Sequence, residues 1–222
     1  MIRGLGWLGV LVLICCFADA GPIRDTPPPG LVSGEPSRGA SLDAVFAHFK
    51  HNRFMCAFRE DKRVALLARP LKSTGMIYFD RGKGVVRKTS APKPGQVTVT
   101  KDALRIREGS RVESIPLSKN RELRAFAMVF PMLLRGDRTE LERSFEVGLY
   151  GSDRGWWALA FTPRDDALKT MVARVIVFGH ATDIVSLQVS EASGDRTDTQ
   201  LFDIAVNGDV SDAVIASAFG DT

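Results

Sequence analysis

The chain carries a series of short stripes in which every second residue is apolar, and this pattern constrains its fold more than any other feature. The stripes of the C-terminal half are Phe145-Val147-Leu149, Trp157-Leu159-Phe161, Val175-Val177, Val185-Leu187-Val189 and Phe202-Ile204-Val206. Because successive side chains of a β-strand point to opposite faces, each stripe predicts a strand with one dry face. No helical pattern separates these stripes, so they predict an antiparallel meander rather than a parallel α/β sheet.

The N-terminal half continues the same pattern. Apolar or alternating runs cover residues 54–62, 76–80, 97–100 and 104–107, with glycines and prolines between them where turns belong. The basic stretch Leu71–Lys88, "LKSTGMIYFDRGKGVVRK", could be part of a phosphate-binding loop, a basic hairpin for nucleic acid or a hairpin of this larger sheet. These runs therefore predict further strands of one large sheet.

Three segments carry helical signals instead. One begins with Ser41 as N-cap and is expected to end near His51. The clearest has one apolar stripe at helical spacing, formed by Leu123, Phe126, Ala127, Phe130, Leu133 and Leu134. Pro131 is expected to kink this helix or to end its first segment. Asp137 and Glu140 form a capping-box-like pair that predicts a short following helix.

The predicted fold class is therefore α+β. It consists of a single long, curved antiparallel sheet with two or three amphipathic helices. Those helices can bury their apolar stripes only against a face of the sheet, and we expect them on its concave face.

The N-terminus has the regions of a secretory signal peptide. A positive start with Arg3 precedes the apolar run Leu5–Phe17, and Ala18-Asp19-Ala20 has the small-x-small pattern that signal peptidase cuts. The apolar run is shorter than the ~20 residues of a transmembrane helix. The predicted divisions are a signal peptide over residues 1–20, cleaved after Ala20, a flexible Pro- and Gly-rich linker over residues 21–40, and one folded domain over residues 41–222. The mature protein is expected to be exported.

Cleavage after Ala20 would leave Cys56 as the single cysteine, so the mature chain could form no internal disulfide. An exported domain without disulfides needs a core large enough to be stable on its own. Cys56 stands in an apolar run, which favours an inert core thiol over a reactive one. The net charge of +4 suits work near an anionic lipid or an acidic partner and requires neither.

The residues offer no catalytic constellation, and we predict neither an enzyme nor a cofactor. The segment Arg81–Gly84 lacks the first glycine and the Lys-Ser/Thr ending of a phosphate-binding loop. His48 and His51 lie near Cys56, but a closed zinc site needs four ligands, so a solvated helix face is favoured over a metal site. The aromatic residues share stripes with aliphatic ones, which disfavours nucleic-acid binding.

Three segments of the chain match motifs in the order and spacing of one known family. Phe58–Lys62 fits F-x-E/Q-x-K, and "LLARPLKSTGMIYFDRGKGVVRKTSAP" fits L-x-x-P-L-x-S-x-G-x-x-x-F followed by T-x-x-P. The ending "GDRTDTQLFDIAVNGDVSDAVIASAF" is similar to G-D-x-T-x-T-x-F…N…D…F. Together they resemble the LolA-like periplasmic carriers of outer-membrane lipoproteins, of which this chain would be a divergent member over about Leu42 to Phe219.

The resemblance implies an incomplete β-barrel whose open side is covered by helices. It implies a carrier or chaperone that binds the acyl chains of a lipoprotein, or of another acyl-lipid, in an apolar cavity. The implied partners are that cargo, an inner-membrane transporter and an outer-membrane acceptor, with no nucleic acid. The carrier itself is expected to be a monomer.

Candidate site residues follow from the stripes together with the resemblance. The acyl-chain contacts expected on this basis are Met76, Tyr78, Phe126, Phe130, Leu133, Leu134, Trp157 and Leu159. The same side chains could instead fill a solid core, which a stripe alone does not distinguish from a cavity wall. Arg81 stands where better-known members have an arginine that latches the helical lid, and the alternative is an exposed turn arginine.

The chain also departs from the family pattern. Gly82 stands where the carriers usually have proline, and Val86-Arg87 stands where many have arginine and tryptophan. These departures leave room for a cargo other than a triacylated lipoprotein, for example in a pathway that exports pigment or another acyl-lipid. A lipid-sensing or regulatory half-barrel that binds a membrane protein is a further alternative, as is an enzyme acting on acyl lipids.

Overall fold

The computed structural model describes residues 27–36, 40–151 and 154–220. Within these ranges eleven strands form a single antiparallel sheet in the order β6-β5-β4-β3-β2-β1-β11-β10-β9-β8-β7. The strands are β1 (Arg53–Arg63), β2 (Leu71–Asp80), β3 (Gly84–Ala91), β4 (Gly95–Val99), β5 (Ala103–Glu108), β6 (Arg111–Pro116), β7 (Phe145–Gly151), β8 (Trp156–Pro163), β9 (Val172–His180), β10 (Asp183–Glu191) and β11 (Arg196–Val206). The edge strands β6 and β7 are not paired with each other within the described residues, so the sheet is an incomplete barrel, as the family resemblance implies.

The α-helices of the described residues are α1 (Ala40–Ala47), α2 (Arg121–Ala127), α3 (Val129–Arg135), α4 (Arg138–Ser144), α5 (Asp166–Lys169) and α6 (Asp212–Phe219). Helices α2, α3 and α4 connect β6 to β7, the two edge strands of the sheet. A connection between opposite edges must cross a face of the sheet. The chain therefore places the predicted apolar helix stripe across the open side of the half-barrel.

One face of the sheet, called the inner face here, packs against α1, α3 and α4. The largest fully buried side chains of this core include Phe49, Phe54, Phe58, Phe79, Phe145 and Phe161. Strand β8 shows how alternate side chains are divided between two clusters. Trp157, Leu159 and Phe161 belong to this core, while Ala158 and Ala160 belong to a separate cluster. The two-residue period thus predicts which side of β8 is the inner one.

The opposite, outer face is covered in two places. Helix α6 packs its Ile215, Ala218 and Phe219 against Val86 and Tyr78, so this helix lies on the other side of the sheet from α2 and α3. A helix with an apolar side can pack on either face, and the C-terminal strand β11 delivers α6 to the outer one.

The second covering comes from residues 27–36. Leu31 and Val32 pack against the cluster of Ala158, Ala160 and Ile176. This part of the predicted linker therefore lies against the sheet. The predicted signal peptide and the start of the linker fall outside the described residues.

Three helix predictions are modified in detail. The helix that carries the apolar stripe breaks at Met128, before Pro131. Pro131 therefore lies in the first turn of α3, where a residue needs no intrahelical N–H hydrogen bond. Asp137 does precede α4, but its side chain makes no capping hydrogen bond. In addition, α1 begins at Ala40, so Ser41 lies within the helix and not at its N-cap, and the helix ends at Ala47, earlier than expected.

Candidate functional site

An apolar cavity of about 250 Å³ lies between the inner face of the sheet and the helices α2 and α3. Its wall is built from strands on both sides of β1 and from the two helices. The residues that form it are Ile77, Val85, Arg87, Val97, Val99, Leu104, Ile106, Ile115, Leu123, Phe126, Ala127, Val129, Phe130, Pro131, Met171, Val175, Leu187 and Val189. With the exception of Arg87, every one of these side chains is apolar, so the cavity can take only an apolar ligand along most of its length.

A second, smaller cavity of about 160 Å³ adjoins the first and has a different chemistry. Both are lined by Ile77, Arg87, Phe126, Phe130, Leu187 and Val189, which makes them neighbouring parts of one space. The smaller part adds only polar and charged residues, namely Glu60, Lys62, Glu191, Thr197 and Thr199. The space therefore has an apolar chamber and a polar end.

The polar end owes its chemistry to alternation along β1. Phe54, Cys56 and Phe58 are buried on the inner face, and the next two inward positions are Glu60 and Lys62. A strand continues its two-residue period whatever its side chains are, so the F-x-E-x-K motif directs a carboxylate and an ammonium into the interior.

Glu60 is held by three neighbours from three strands. Its Oε1 accepts hydrogen bonds from Arg87 at 2.9 Å and from the Ser73 hydroxyl at 3.2 Å, and its Oε2 accepts one from Thr199 at 3.0 Å. The Arg87 guanidinium also lies 4.2 Å from the ring centre of Phe58. A buried carboxylate needs such partners, because burial without them would remove its charge.

Lys62 forms the second buried ion pair of the polar end. Its ammonium lies 2.7 Å from Oε1 of Glu191. The residues Glu60, Lys62 and Glu191 are only 6%, 4% and 8% exposed. Buried ion pairs are weak evidence for stability, since apolar residues of similar size often stabilise as well or better. Their position at the cavity makes them candidates for ligand contacts.

The C-terminal end of α3 is fastened to the sheet by Arg81 and His51. The Arg81 guanidinium donates to the carbonyls of His51 at 3.2 Å and of Arg135 at 3.1 Å, and the His51 N–H donates to the Leu134 carbonyl at 3.0 Å. These bonds satisfy two of the carbonyls that a helix end leaves without partners. At the other end of the lid, the Asn120 side chain caps α2 by accepting from the Leu123 N–H at 2.7 Å.

The sequence-predicted contact residues fall into three groups. Phe126 and Phe130 line both parts of the cavity. Leu133, Leu134, Trp157 and Leu159 lie in the packed core and are not among the residues that line either part.

Met76 and Tyr78 make up the third group and are not brought to the cavity. Tyr78 packs in the outer cluster beneath α6, where burial raises its pKa. Met76 shares its side of β2, since the two are separated by one residue. The inward residue between them, Ile77, lines both parts of the cavity instead.

Several lining residues were missed from the sequence, including Ile77, Arg87, Glu60 and Glu191. The alternation of Phe58, Glu60 and Lys62 was a usable signal, because it places two charges in an otherwise apolar stripe. No comparable signal distinguishes Ile77 from its neighbours, since β2 is apolar on both faces at this point. The basic residues of the same hairpin do not form one patch, because Arg87 points inward while Lys88 donates to the Ser217 carbonyl of α6.

Two predictions about chemistry can be set against the geometry. Burial raises the pKa of the Cys56 thiol well above its usual range, which suits an inert core residue. Across residues 27–36, 40–151 and 154–220, no group of three or more His, Cys, Asp or Glu side chains is placed to hold a metal ion. None of the helices in those same ranges is both long and apolar enough to cross a membrane.

Residues 38–219 match the model of a family described as outer membrane lipoprotein carrier protein LolA-like. No curated protein is significantly similar to the chain in sequence.

Solved structures with a similar course of the chain share little sequence with it. A DUF1329 family protein from Desulfovibrio piger is 12% identical over 78% of this chain and 93% of its own, with a TM-score of 0.43. A LolA superfamily protein from Nitrosomonas europaea is 11% identical over 78% of this chain and 95% of its own, with a TM-score of 0.42. LprF from Mycobacterium bovis is 13% identical over 80% of this chain and 97% of its own, with a TM-score of 0.35. At these sequence identities and TM-scores, the match to the family model, and not the solved structures, defines what the chain is related to.

Proposed function

The chain belongs to the LolA-like family of outer membrane lipoprotein carrier proteins, and we propose that it carries the acyl chains of a lipoprotein or of another acyl-lipid in its inner cavity. The observation that carries this proposal is the apolar chamber of about 250 Å³ beneath α2 and α3. An apolar cavity of ~150 Å³ is already large enough to bind benzene. This chamber could therefore hold part of an acyl chain before any helix moves.

The driving force for such binding is the transfer of methylene groups out of water. Each buried CH₂ contributes roughly 0.8 kcal/mol. A chain of many methylenes thus binds without a catalytic group or a cofactor, and the protein acts as a non-enzymatic carrier. Release requires the opposite step, in which α2 and α3 move away from the sheet.

The proposed setting is the periplasm, reached by a cleavable signal peptide over residues 1–20. There the protein would receive its cargo from an inner-membrane transporter and deliver it to an outer-membrane acceptor. The family relationship and the apolar chamber support this course. A monomer that binds its cargo in the apolar chamber would take one cargo molecule at a time.

The test is mass spectrometry of organic extracts from protein purified gently out of the periplasm. We expect an acylated molecule in stoichiometric amount, and a fluorescent fatty-acyl probe should enter the emptied protein. Extracts without any acylated molecule, together with failure to bind the probe, would refute carriage. That result would favour a lipid-independent interaction domain.

A further inference from the structure

We propose that the polar end of the cavity is a head-group site selective for an uncharged hydrogen-bonding group, such as an ester, an amide or a glycerol hydroxyl. The proposal rests on the proposed function and names the class of amphiphile that the cavity accepts. It assigns a role to Glu60, Lys62, Arg87 and Glu191, whose charges acyl-chain binding alone does not require.

The first argument is continuity. Phe126 and Phe130 of the lid, together with Ile77, line both the apolar chamber and the polar end. An acyl chain lying in the chamber therefore places the group at its end against Arg87, which lines both parts as well. An amphiphile bound in this way has a defined direction.

The second argument is charge balance. The polar end holds two carboxylates, Glu60 and Glu191, and two cations, Arg87 and Lys62, in pairs at 2.9 and 2.7 Å. Their charges sum to zero before any ligand enters. A ligand head with a net charge would leave one charge without a counterion in a site that is largely removed from water, which is strongly unfavourable. An uncharged head adds no such charge.

The third argument is hydrogen bonding. One terminal nitrogen of Arg87 donates to Glu60 at 2.9 Å and to Ser73 at 3.2 Å. Within the described residues, its Nε and its other terminal nitrogen make no hydrogen bond. Those N–H groups can donate to an ester or amide carbonyl, and Thr197 adds a hydroxyl in the same wall. The site thus offers donors to a neutral head without breaking either ion pair.

The experiment compares three ligands that carry twelve-carbon chains and differ in head charge. They are lauroylglycerol, dodecanesulfonate and dodecyltrimethylammonium, each used as monomer in competition with a fluorescent acyl probe. The two ionic heads are permanently charged, so neither can enter as a neutral species. We expect both to bind at least about tenfold more weakly than lauroylglycerol.

Charge variants then test the cause of that selectivity. Glu60→Gln and Glu191→Gln each leave the polar end with one excess positive charge, so either should shift the preference toward the sulfonate and away from the ammonium. Arg87→Gln should shift it in the opposite direction. Glu146→Gln makes the same chemical change at an exposed position of β7 and should leave the order unchanged.

The outcomes separate this inference from the function on which it rests. Binding of all three heads with equal affinity would refute head-group selection and leave acyl carriage intact. Failure of every ligand to bind would refute both. Should Glu60→Gln not fold, the wild-type order of affinities and Glu191→Gln still decide the question.

Discussion

Arg81 and Arg135 hydrogen-bond each other's backbone. The Arg81 guanidinium donates to the Arg135 carbonyl at 3.1 Å, and the Arg135 guanidinium donates to the Arg81 carbonyl at 3.1 Å. One residue follows β2 and the other ends α3, so this reciprocal pair joins the sheet to the helical lid. Both bonds have charged donors but lie at the exposed surface, so we expect each to contribute only modestly to stability.

We propose that Arg81 latches the lid, which predicts a change in lid opening that exceeds the change in stability. Arg81→Leu removes both side-chain donations from this residue and leaves the backbone of α3 in place. We expect cargo or probe to leave the variant several-fold faster, while the free energy of unfolding falls by only about 1–2 kcal/mol. Stopped-flow release and urea unfolding measure the two quantities.

Arg105→Leu is the matched control, since Arg105 is an exposed arginine of β5. It should change neither the release rate nor the stability appreciably. An Arg81→Leu protein that loses stability heavily and releases its probe at the wild-type rate would show that Arg81 only caps the helix.

The lid phenylalanines predict a loss of acyl binding. Phe126→Asp or Phe130→Asp places a carboxylate in the wall of the apolar chamber, where an acyl chain would have to bury it. We expect probe affinity to fall by more than about tenfold in protein that remains folded. Fluorescence titration measures the affinity, and circular dichroism reports folding.

Phe202→Asp provides the same substitution outside the cavity, because Phe202 is exposed on β11. Its probe affinity should remain that of the wild type. If the lid variants bind like Phe202→Asp, the chamber beneath α2 and α3 is not the acyl site.

From the lowered pKa of His51 we expect that the protein loses stability in acid. Burial, followed by the positive charge of Arg81, lowers the His51 pKa below its ordinary 6.5, while Asp183 opposes the shift. The folded state therefore binds the proton less well than the unfolded state. The free energy of unfolding should fall as the pH drops below 6.5 and level off below the folded-state pKa.

His51→Gln should remove this part of the acid sensitivity, as measured by urea unfolding from neutral pH to about pH 5. His48→Gln, at an exposed position three residues earlier, should retain it. Parallel pH curves for wild type and His51→Gln would contradict the assignment.

We expect a larger side chain at Gly179 in β9 to clash with its surroundings. A Cβ atom there would lie 1.9 Å from the Trp157 ring, whose Nε1 donates to the Ala181 carbonyl at 2.8 Å. Gly179→Ala must displace the indole, and we expect a loss of about 1–3 kcal/mol in the free energy of unfolding. Gly208→Ala meets no atom within 4 Å and should be nearly neutral, so equal urea midpoints would contradict the packing described for Trp157.

The site could be predicted only in part. Phe126 and Phe130 follow from the helical stripe, because a seven-residue helix such as α2 has one side to bury. The sequence did not show which face of β2 lines the cavity. The reason is that Met76, Ile77, Tyr78 and Phe79 make both sides of the strand apolar at this point. Tyr78 is covered by α6, which comes from the far end of the chain.

The sequence by itself determined most of the strands, the antiparallel sheet and the lid helix, because these depend on periods of two and of about 3.6 residues within short segments. Strand β6 (Arg111–Pro116) was not among the predicted strands. Only the tertiary structure decided which apolar face encloses the cavity and that Lys62 meets Glu191, 129 residues away. The physical reason is that period and propensity act locally. Contacts between distant strands depend on the order and register in which the whole sheet assembles.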